Sequence, residues 1–309
     1  MKITILGSGT SIGVPVPTCS CEVCQSADPR DSRLRCSALV EATDGYNILI
    51  DCGPDMRQQA LRAKIQRLDA LLLTHNHFDH CYGLDDLRPW AFAQPLQTYA
   101  DQLMSDALLT RWDYIFVHRY PGVPKLELHT LHPDADRRLE RRRLEVDNKT
   151  DLEAAHHSKG MIMPTFALPA EGTGGRQEVF YIGQTRCEAI RCFHGAMPIL
   201  GYRVGNLAYL TDCTHLPQSE YAKLNKIDTL IIDALRWQKH PTHFSVEQAL
   251  DVVALLRPRQ TLFTHMSHDI GLHREFRDRL FEEMGGRFSK SLLESVSLAL
   301  DGEIIEITD

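Results

Sequence analysis

Short apolar runs that end in a histidine or an aspartate recur along this chain. The largely apolar run at residues 68–73 leads straight into a histidine cluster. Four later runs also end in such a residue, and they lie at residues 189–193, 207–211, 229–232 and 261–264, before His194, Asp212, Asp233 and His265. Runs of this kind predict buried strands, and α/β proteins place their sites at the carboxyl ends of strands. The pattern therefore predicts an α/β protein whose site is assembled from several strand ends.

The rest of the hydrophobic pattern predicts the elements around these strands. Further strands are expected at residues 3–6, 37–42 and 46–51, and the turn at residues 43–45 predicts a hairpin between the last two. Helices are expected at residues 56–65, 83–93, 245–256 and 272–284. Residues 298–307 are expected to form closing strands around the turn Asp301-Gly302.

The composition is that of an ordinary globular protein. The chain has 309 residues, of which 43% are hydrophobic, so it can bury the core of one large domain or two small ones. Its net charge of -7 and pI near 6.1 argue against a protein that coats nucleic acid or an anionic membrane. No apolar stretch approaches the roughly 20 residues that span a bilayer, and the start does not resemble a signal peptide, so we expect a cytoplasmic protein.

Three imidazoles and one carboxylate lie within six consecutive residues, at His75, His77, Asp79 and His80. This mixture of ligands suits borderline divalent ions such as zinc, manganese or iron. In an extended loop His75 and His77 can point to the same side, while Asp79 and His80 follow on a tighter turn and can reach a second ion. We therefore predict two adjacent metal ions, against the alternative of surface or core histidines without a ligand.

Asp51 ends another apolar run and is followed closely by Gly53, so we expect it at a strand end near the histidine cluster. Its carboxylate could orient a ligand histidine by accepting a hydrogen bond, or it could cap the next segment. The residues alone leave both roles open.

Three of the nine cysteines lie within six residues, at Cys19, Cys21 and Cys24. In a reducing compartment such a cluster indicates metal ligation before disulfides. A structural zinc needs a closed set of four ligands, so the fourth must come from elsewhere in the chain. The alternative is three free cysteines.

Residues 133–177 interrupt the regular pattern. They carry the charge run at 137–143, residues of both signs, and the pair His156 and His157. Mixed charge argues for a solvated insertion and against an arm that binds a polyanion. A lid, an arm exchanged in a homodimer and a simple surface insertion all remain open, and we expect the two histidines to be exposed and not to be ligands.

The chain resembles a metallo-β-lactamase-fold hydrolase. The signature His-x-His-x-Asp-His is complete at residues 75–80, and His194, Asp212 and His265 follow in the order that the family uses. More narrowly, residues 6–10, the cysteine cluster and residues 264–268 are similar to the PhnP-like cyclic phosphodiesterases. The resemblance implies one domain over residues 1–309, an αββα sandwich of two mixed β-sheets flanked by helices, with an insertion at about 133–177.

The resemblance also implies a role for each candidate residue. It assigns His75, His77 and His194 to one metal, Asp79, His80 and His265 to the other, and Asp212 to a bridge between the two. Cys19, Cys21, Cys24 and His268 would hold a separate structural zinc. His243 resembles a family position near the leaving group, where it would protonate that oxygen or bind the phosphate. The alternative for His243 is a histidine at a helix start, satisfied by local hydrogen bonds.

These assignments predict a dinuclear hydrolase that cleaves cyclic or small phosphodiesters through a metal-bridging hydroxide, with Asp79, Asp212 and His243 as catalytic residues. We expect two divalent ions, zinc or manganese, at the active site and one structural zinc. The expected partner is a small-molecule substrate; no membrane or nucleic acid is expected, and a homodimer is compatible with the insertion.

Three alternatives share the same ligands. A tRNA 3′-processing nuclease needs a basic arm for its substrate, and the mixed-charge insertion is a poor substitute. A thioester or lactone hydrolase would use the same metal centre. A metal-binding regulatory protein with a vestigial site would keep the ligands without turnover.

Overall fold

The computed structural model describes residues 1–92, 94–118, 120–131 and 178–308. The insertion expected at about 133–177, with His156 and His157, lies outside the described residues. Its roles as a lid, an exchanged arm or a surface insertion therefore stay predictions, and so does the homodimer.

Within the described residues, fourteen strands form two sheets of seven strands each. The first sheet consists of β1 (Lys2–Gly7), β2 (Ser37–Glu41), β3 (Asn47–Ile50), β4 (Ala70–Leu72), β5 (Leu96–Asp101), β6 (Leu126–Leu131) and β14 (Ile304–Glu306). The second consists of β7 (Val179–Ile182), β8 (Thr185–His194), β9 (Met197–Val204), β10 (Leu207–Leu210), β11 (Thr229–Asp233), β12 (Gln260–Thr264) and β13 (Val296–Leu298). The spatial orders are β14-β1-β2-β3-β4-β5-β6 and β13-β12-β11-β10-β9-β8-β7.

Each sheet mixes parallel and antiparallel pairs. The predicted hairpin is present, since β2 and β3 pair antiparallel, whereas β3 to β6 are parallel. In the second sheet β7 to β10 are antiparallel and β10 to β13 are parallel. In both sheets the parallel strands carry their carboxyl ends to one edge, which is where the apolar runs end in polar residues.

Alternate residues of the first sheet's strands belong to two different cores. Ile48 and Ile50 pack in the core that also contains the second sheet, whereas Leu49 packs in the core that contains the first helices. Because side chains alternate across a strand, a strand buried on both faces must be apolar throughout. This explains why β3 and β4 are continuous apolar runs.

Helices flank both sheets, which confirms the predicted sandwich. They are α1 (Met56–Ala63), α2 (Phe78–Cys81), α3 (Arg88–Ala91), α4 (Gln102–Arg111), α5 (Asp113–Phe116), α6 (Val246–Leu256), α7 (His273–Met284) and α8 (Lys290–Glu294). Among the described residues, none of these helices has both the length and the apolar character needed to cross a bilayer.

The helix expected at residues 83–93 is broken in two. A 3-10 turn at Leu84–Leu87 precedes α3, which has Pro89 in its first turn. Proline lacks the backbone N–H that a continuous α-helix would bond to the preceding turn. The amphipathic pattern therefore predicts the helical character of this segment correctly, but it does not predict the break.

The closing strands at residues 298–307 do not pair with each other. β13 joins β12 in the second sheet, and β14 joins β1 in the first. Between them, the carboxylate of Asp301 accepts hydrogen bonds from the backbone N–H groups of Ser8 (2.9 Å) and Leu34 (2.8 Å). The chain end thus ties the two sheets together.

The two sheets are also joined beside the histidine cluster. The backbone N–H of Leu200 donates to the carbonyl of Thr74 at 2.9 Å, and the Tyr202 hydroxyl donates to the carbonyl of Leu73 at 2.7 Å. Nearby, the Arg191 guanidinium lies 3.0 Å from the Asp101 carboxylate, and both side chains are buried. The first two contacts fix the end of β4 against β9, and the ion pair joins β5 to β8.

Replacing Arg191 by methionine should destabilise the protein by about 3–5 kcal/mol, because Asp101 would be left as an unpaired buried charge. An asparagine in place of Asp101 would keep the Oδ1 atom that accepts the Met104 N–H and caps α4. The double variant Arg191→Met with Asp101→Asn should therefore recover most of the loss. Unfolding in guanidinium measures the stability of both variants. Equal losses of stability in the single and double variants would contradict a role for the ion pair.

Candidate functional site

Seven predicted ligands meet where the strand ends of the two sheets face each other. Each comes from the end of a strand or the segment after it: His75 and His77 follow β4, Asp79 and His80 lie in α2, His194 ends β8, Asp212 follows β10 and His265 follows β12. All except His77 and His194 are buried. The partly exposed His77 and His194 mark the open side of the site.

Asp212 lies at the centre of this cluster. Its Oδ1 atom is 3.1 Å from Nε2 of His80 and 3.2 Å from Nε2 of His265, and its Oδ2 atom is 3.8 Å from Nε2 of His75. Burial opposes ionisation, but the imidazoles of His265 and His80 hold the pKa of Asp212 well below its usual value. Asp212 is therefore an anion that several ligand sets share.

The potential ligand atoms fall into groups that share Asp212. Atoms within 4.8 Å of one another come from Asp79, His80, Asp212 and His265, from His75, His77 and Asp212, and from His194, Asp212 and His243. His194 is thus grouped with His243, and its ring centroid lies 5.1 Å from that of His77 and 5.8 Å from that of His75. The predicted set of His75, His77 and His194 therefore lies around Asp212, but His194 lies farther from the other two histidines than they do from each other.

Asp51, Asp212 and His265 have left-handed backbones, with φ of 59°, 54° and 56°. Aspartate and histidine tolerate this conformation better than most residues, but it still costs free energy. Each of the three follows the end of a strand, so the sharp turn aims its side chain back toward the strand ends. Strain of this kind persists where the surrounding structure enforces it, and it clusters at functional sites.

Asp51 orders two of the histidines. Its Oδ2 atom lies 2.7 Å from Nδ1 of His80 and accepts the hydroxyl hydrogen of Thr74 at 2.8 Å. Thr74 Oγ1 then accepts from Nδ1 of His75 at 3.0 Å, because its own hydrogen is already donated. Of the two roles that the sequence left open for Asp51, the geometry supports the hydrogen-bond acceptor. The link through Thr74 was missed, because no sequence pattern marks it.

These bonds leave imidazole nitrogens free to bind a metal. His194 donates its Nδ1 hydrogen to the carbonyl of Thr242 at 2.7 Å, which leaves its Nε2 unprotonated. The Nε2 atoms of His75 and His80 are buried, and within the described ranges neither makes a hydrogen bond of good geometry, although Nε2 of His80 lies 3.1 Å from carboxylate oxygens of Asp79 and Asp212. Buried polar atoms are normally satisfied, so these orphaned atoms, beside two carboxylates, fit a divalent metal centre.

The charge state of the cluster agrees with metal binding. Burial lowers the pKa of His75 well below its usual value, and it lowers that of His194 to about 4. Neutral imidazole is the form that binds metal. Burial also opposes the charged form of His80, but the carboxylates of Asp212, Asp79 and Asp51 raise its pKa well above the usual value. A metal ion can supply the positive charge that those carboxylates favour at this position.

His243 lies beside the ligands, and Asp233 orients its ring. Its Nδ1 atom is 3.0 Å from Oδ2 of the fully buried Asp233, and its ring centroid is 4.6 Å from that of His194 and 4.8 Å from that of His265. Burial opposes a charge on His243, but Asp233 raises its pKa. Local helix capping does not account for His243, because Ser245 caps α6. The sequence marked Asp233 as a strand-end carboxylate but gave it no role.

The cysteine cluster forms a second potential metal site. Nδ1 of His268 lies 3.4 Å from Sγ of Cys19, 3.3 Å from that of Cys21 and 3.4 Å from that of Cys24. Tetrahedral zinc with bonds of about 2.3 Å to sulfur and 2.0 Å to nitrogen would place those atoms about 3.5 Å apart. A hydrogen bond from the Cys24 N–H lowers the pKa of Cys21 to about 7, which favours the thiolate. The four side chains therefore fit a structural zinc.

A sequence model of the beta-lactamase superfamily domain matches residues 46–266, more than half of the chain, and this range contains all seven predicted ligands, Asp212 among them. The chain belongs to the beta-lactamase superfamily. Proteins of this superfamily are usually metal-dependent hydrolases, and the two mixed sheets with their flanking helices are its αββα sandwich.

One solved superfamily structure resembles the chain over nearly its whole length. It is described as a new diphosphatase from the PhnP family, with 32% identity, a TM-score of 0.73 and a match over 99% of this chain and 97% of that one. This confirms the resemblance to the PhnP-like branch. Zn(2+)-bound PqqB from Methylobacterium extorquens has the same fold, with a TM-score of 0.66, 19% identity and a match over 99% of this chain and 100% of that one.

A curated relative is longer than this chain. The octanoyltransferase of Porphyromonas gingivalis (strain ATCC BAA-308 / W83) is 38% identical over 277 residues, which are 89% of this chain and 48% of that protein. The chain thus spans about half the length of this superfamily relative.

The structural zinc site predicts a specific change in metal content. Cys21→Ser should remove one tightly bound zinc per chain and lower the melting temperature, because the site ties the N-terminal loop to the segment after β12. Elemental analysis and thermal unfolding measure both. Cys187→Ala, a buried cysteine far along the chain, is the matched control and should keep the zinc; unchanged zinc in Cys21→Ser would refute the site.

Proposed function

We propose that this protein is a metal-dependent phosphodiesterase that acts on small or cyclic phosphodiesters. The observation that carries the proposal is the convergence of six ligands on the shared carboxylate of Asp212, with His243 beside them. Two ligand sets that share one carboxylate are suited to two adjacent ions. The similar PhnP-family structure, described as a diphosphatase, supports a phosphorus-centred reaction.

In the proposed centre, His75, His77 and His194 would hold one divalent ion, Asp79, His80 and His265 would hold the other, and Asp212 would serve both. When bound, two such ions supply an activated water and Lewis acidity for in-line attack on a phosphodiester. Asp51 and Thr74 hold the imidazoles of His80 and His75 in the orientation that binding requires. Asp79 and Asp212 balance the positive charge of the centre.

In this proposal His243 acts on the leaving group. Its Nδ1–H donates to Asp233, so its Nε2 atom is the one available to the substrate. As the bond between phosphorus and the leaving oxygen breaks, the electron pair goes to that oxygen, and a proton on Nε2 of His243 neutralises it. Asp233 acts through His243 as a positioning residue, because it fixes the ring and favours its protonated form.

A second candidate function is hydrolysis of an acyl thioester or ester. The observation that favours it is the relative from P. gingivalis, which is named an octanoyltransferase and shares 38% identity with this chain. That match leaves about half of the relative unpaired, so its activity need not lie in the shared part. Octanoyl thioesters and p-nitrophenyl octanoate, assayed beside phosphodiesters, separate the two candidates.

A tRNA-processing nuclease and a regulatory protein with a vestigial site have less support. The nuclease would need a basic surface for the phosphate backbone, and the net charge of -7 does not favour one. The regulatory protein would have no need of the Asp233–His243 pair, which positions a proton beside the ligands.

The metal-loaded protein should hydrolyse bis(p-nitrophenyl) phosphate with added manganese or zinc and lose that activity with a chelator. Asp212→Ala should reduce turnover by about 10³-fold or more, since several kcal/mol of transition-state stabilisation are lost and each 1.4 kcal/mol is tenfold. Circular dichroism should show a retained fold. Wild-type turnover in this variant would remove the shared role of Asp212. Inactivity of the wild type with every phosphodiester and every acyl substrate would leave the vestigial site.

His243→Ala should show a loss that depends on the leaving group. With an alkoxide leaving group the rate should fall by about 10²–10⁴-fold, whereas with p-nitrophenolate it should fall by less than about tenfold, because that anion leaves without a proton. Asp233→Asn should show the same dependence, more weakly. Metal content must remain at the wild-type level; loss of an ion from His243→Ala would instead make His243 a ligand.

A further inference from the structure

Two exposed aromatic rings lie side by side next to the candidate metal centre. Phe78 and Tyr82 are 51% and 44% exposed, and their ring centroids are 4.5 Å apart with an angle of 39° between the planes. They are four residues apart along α2 and its end, so they lie on one face of the helix. Behind them, the buried Trp112 packs edge-on against Tyr82 at 4.9 Å.

The position of this pair is set by the ligands themselves. Phe78 stands between the ligands His77 and Asp79, and consecutive Cα atoms are about 3.8 Å apart. The ring therefore begins within one side-chain length of the centre. Asp79 and His80 are buried, whereas Phe78 is exposed and directly follows His77, which is only partly buried. Phe78 therefore adjoins, along the chain, a ligand that marks the open side of the site.

The backbone beneath the rings is held firmly. The Cys52 N–H donates to the carbonyl of His80 at 2.9 Å, and the Gly83 N–H donates to the carbonyl of Cys52 at 2.8 Å. A Cβ on Gly53 would lie only 1.9 Å from the Asp79 carbonyl oxygen, so the two backbones are in direct contact. The pair is therefore a preorganised surface that needs little ordering when a ligand binds.

We propose that Phe78 and Tyr82 form an aromatic platform that stacks against a planar aromatic group of the substrate, such as a nucleobase, beside the phosphate. This inference rests on the proposed phosphodiesterase function and names the class of its substrate. Planar groups stack on such rings whatever their hydrogen-bonding pattern, since every aromatic ring has a π-face.

The size of the platform favours a small ligand over a protein partner. Two half-exposed rings offer about 200 Å² in total, since a buried aromatic side chain accounts for about 150–250 Å². A stable protein interface needs about 800 Å² from each partner. One or two planar rings match the smaller area.

The test compares inhibitors that differ only in the group on phosphorus. Phenylphosphonate and methylphosphonate compete with bis(p-nitrophenyl) phosphate, and octylphosphonate tests whether any apolar group suffices. The wild type should prefer phenyl, and Phe78→Ala should weaken phenylphosphonate by about 5- to 150-fold, equivalent to about 1–3 kcal/mol, with methylphosphonate unchanged. Phe78→Trp should restore the preference. An unchanged phenyl-to-methyl ratio, or a stronger preference for octyl, overturns the platform.

Two controls distinguish the loss of the platform from other causes of weaker inhibition. Tyr181→Ala removes an exposed aromatic ring of β7 and should leave all three inhibition constants unchanged. If the wild type lacks diester turnover, the proposed function fails, and calorimetric titration of the same phosphonates into metal-loaded protein still tests the platform. If Phe78→Ala instead changes the oligomeric state on size exclusion with unchanged inhibition, the pair is an interface between copies and the platform is wrong.

Discussion

The buried carboxylate of Asp212 is the constraint on which the site depends. It lies at the end of a strand in the second sheet, yet the imidazoles of His75 and His80 that surround it come from the first. An uncompensated charge at this depth would be very costly, so the two sheets must bring their strand ends together around it. The same need for positive charge makes this place suited to metal ions.

A second layer of hydrogen bonds orients the imidazoles of this charged cluster. Asp51 and Thr74 orient His80 and His75, the carbonyl of Thr242 orients His194, and Asp233 orients His243. Each bond uses Nδ1 and leaves Nε2 for the interior of the site. The strained backbones of Asp51, Asp212 and His265 belong to the same design, because a relaxed strand end would point these side chains elsewhere. The strained backbones thus cost conformational free energy, but they preorganise the centre.

Chemistry and substrate choice are located in different parts of the site. The buried ligands and His243 can supply a reaction common to many phosphodiesters, whereas the rim, with Phe78 and Tyr82, faces the groups that distinguish one substrate from another. A PhnP-family structure with the same fold is described as a diphosphatase, whereas a longer relative of this chain is named an octanoyltransferase. The fold alone therefore does not decide the substrate, since function belongs to the site and not to the fold.

The sequence by itself determined the fold class, the ligand loop and the strands that carry His194, Asp212 and His265, because continuous apolar runs and their polar ends are local patterns. It also joined His268 to the three cysteines through a family resemblance. It could not show that Thr74 relays Asp51 to His75, that Asp233 supports His243, that β13 and β14 enter different sheets, or that Phe78 and Tyr82 lie exposed and side by side. Those facts depend on contacts between residues far apart in the chain and on which face of a helix meets solvent, and only the packing of the two sheets decides them.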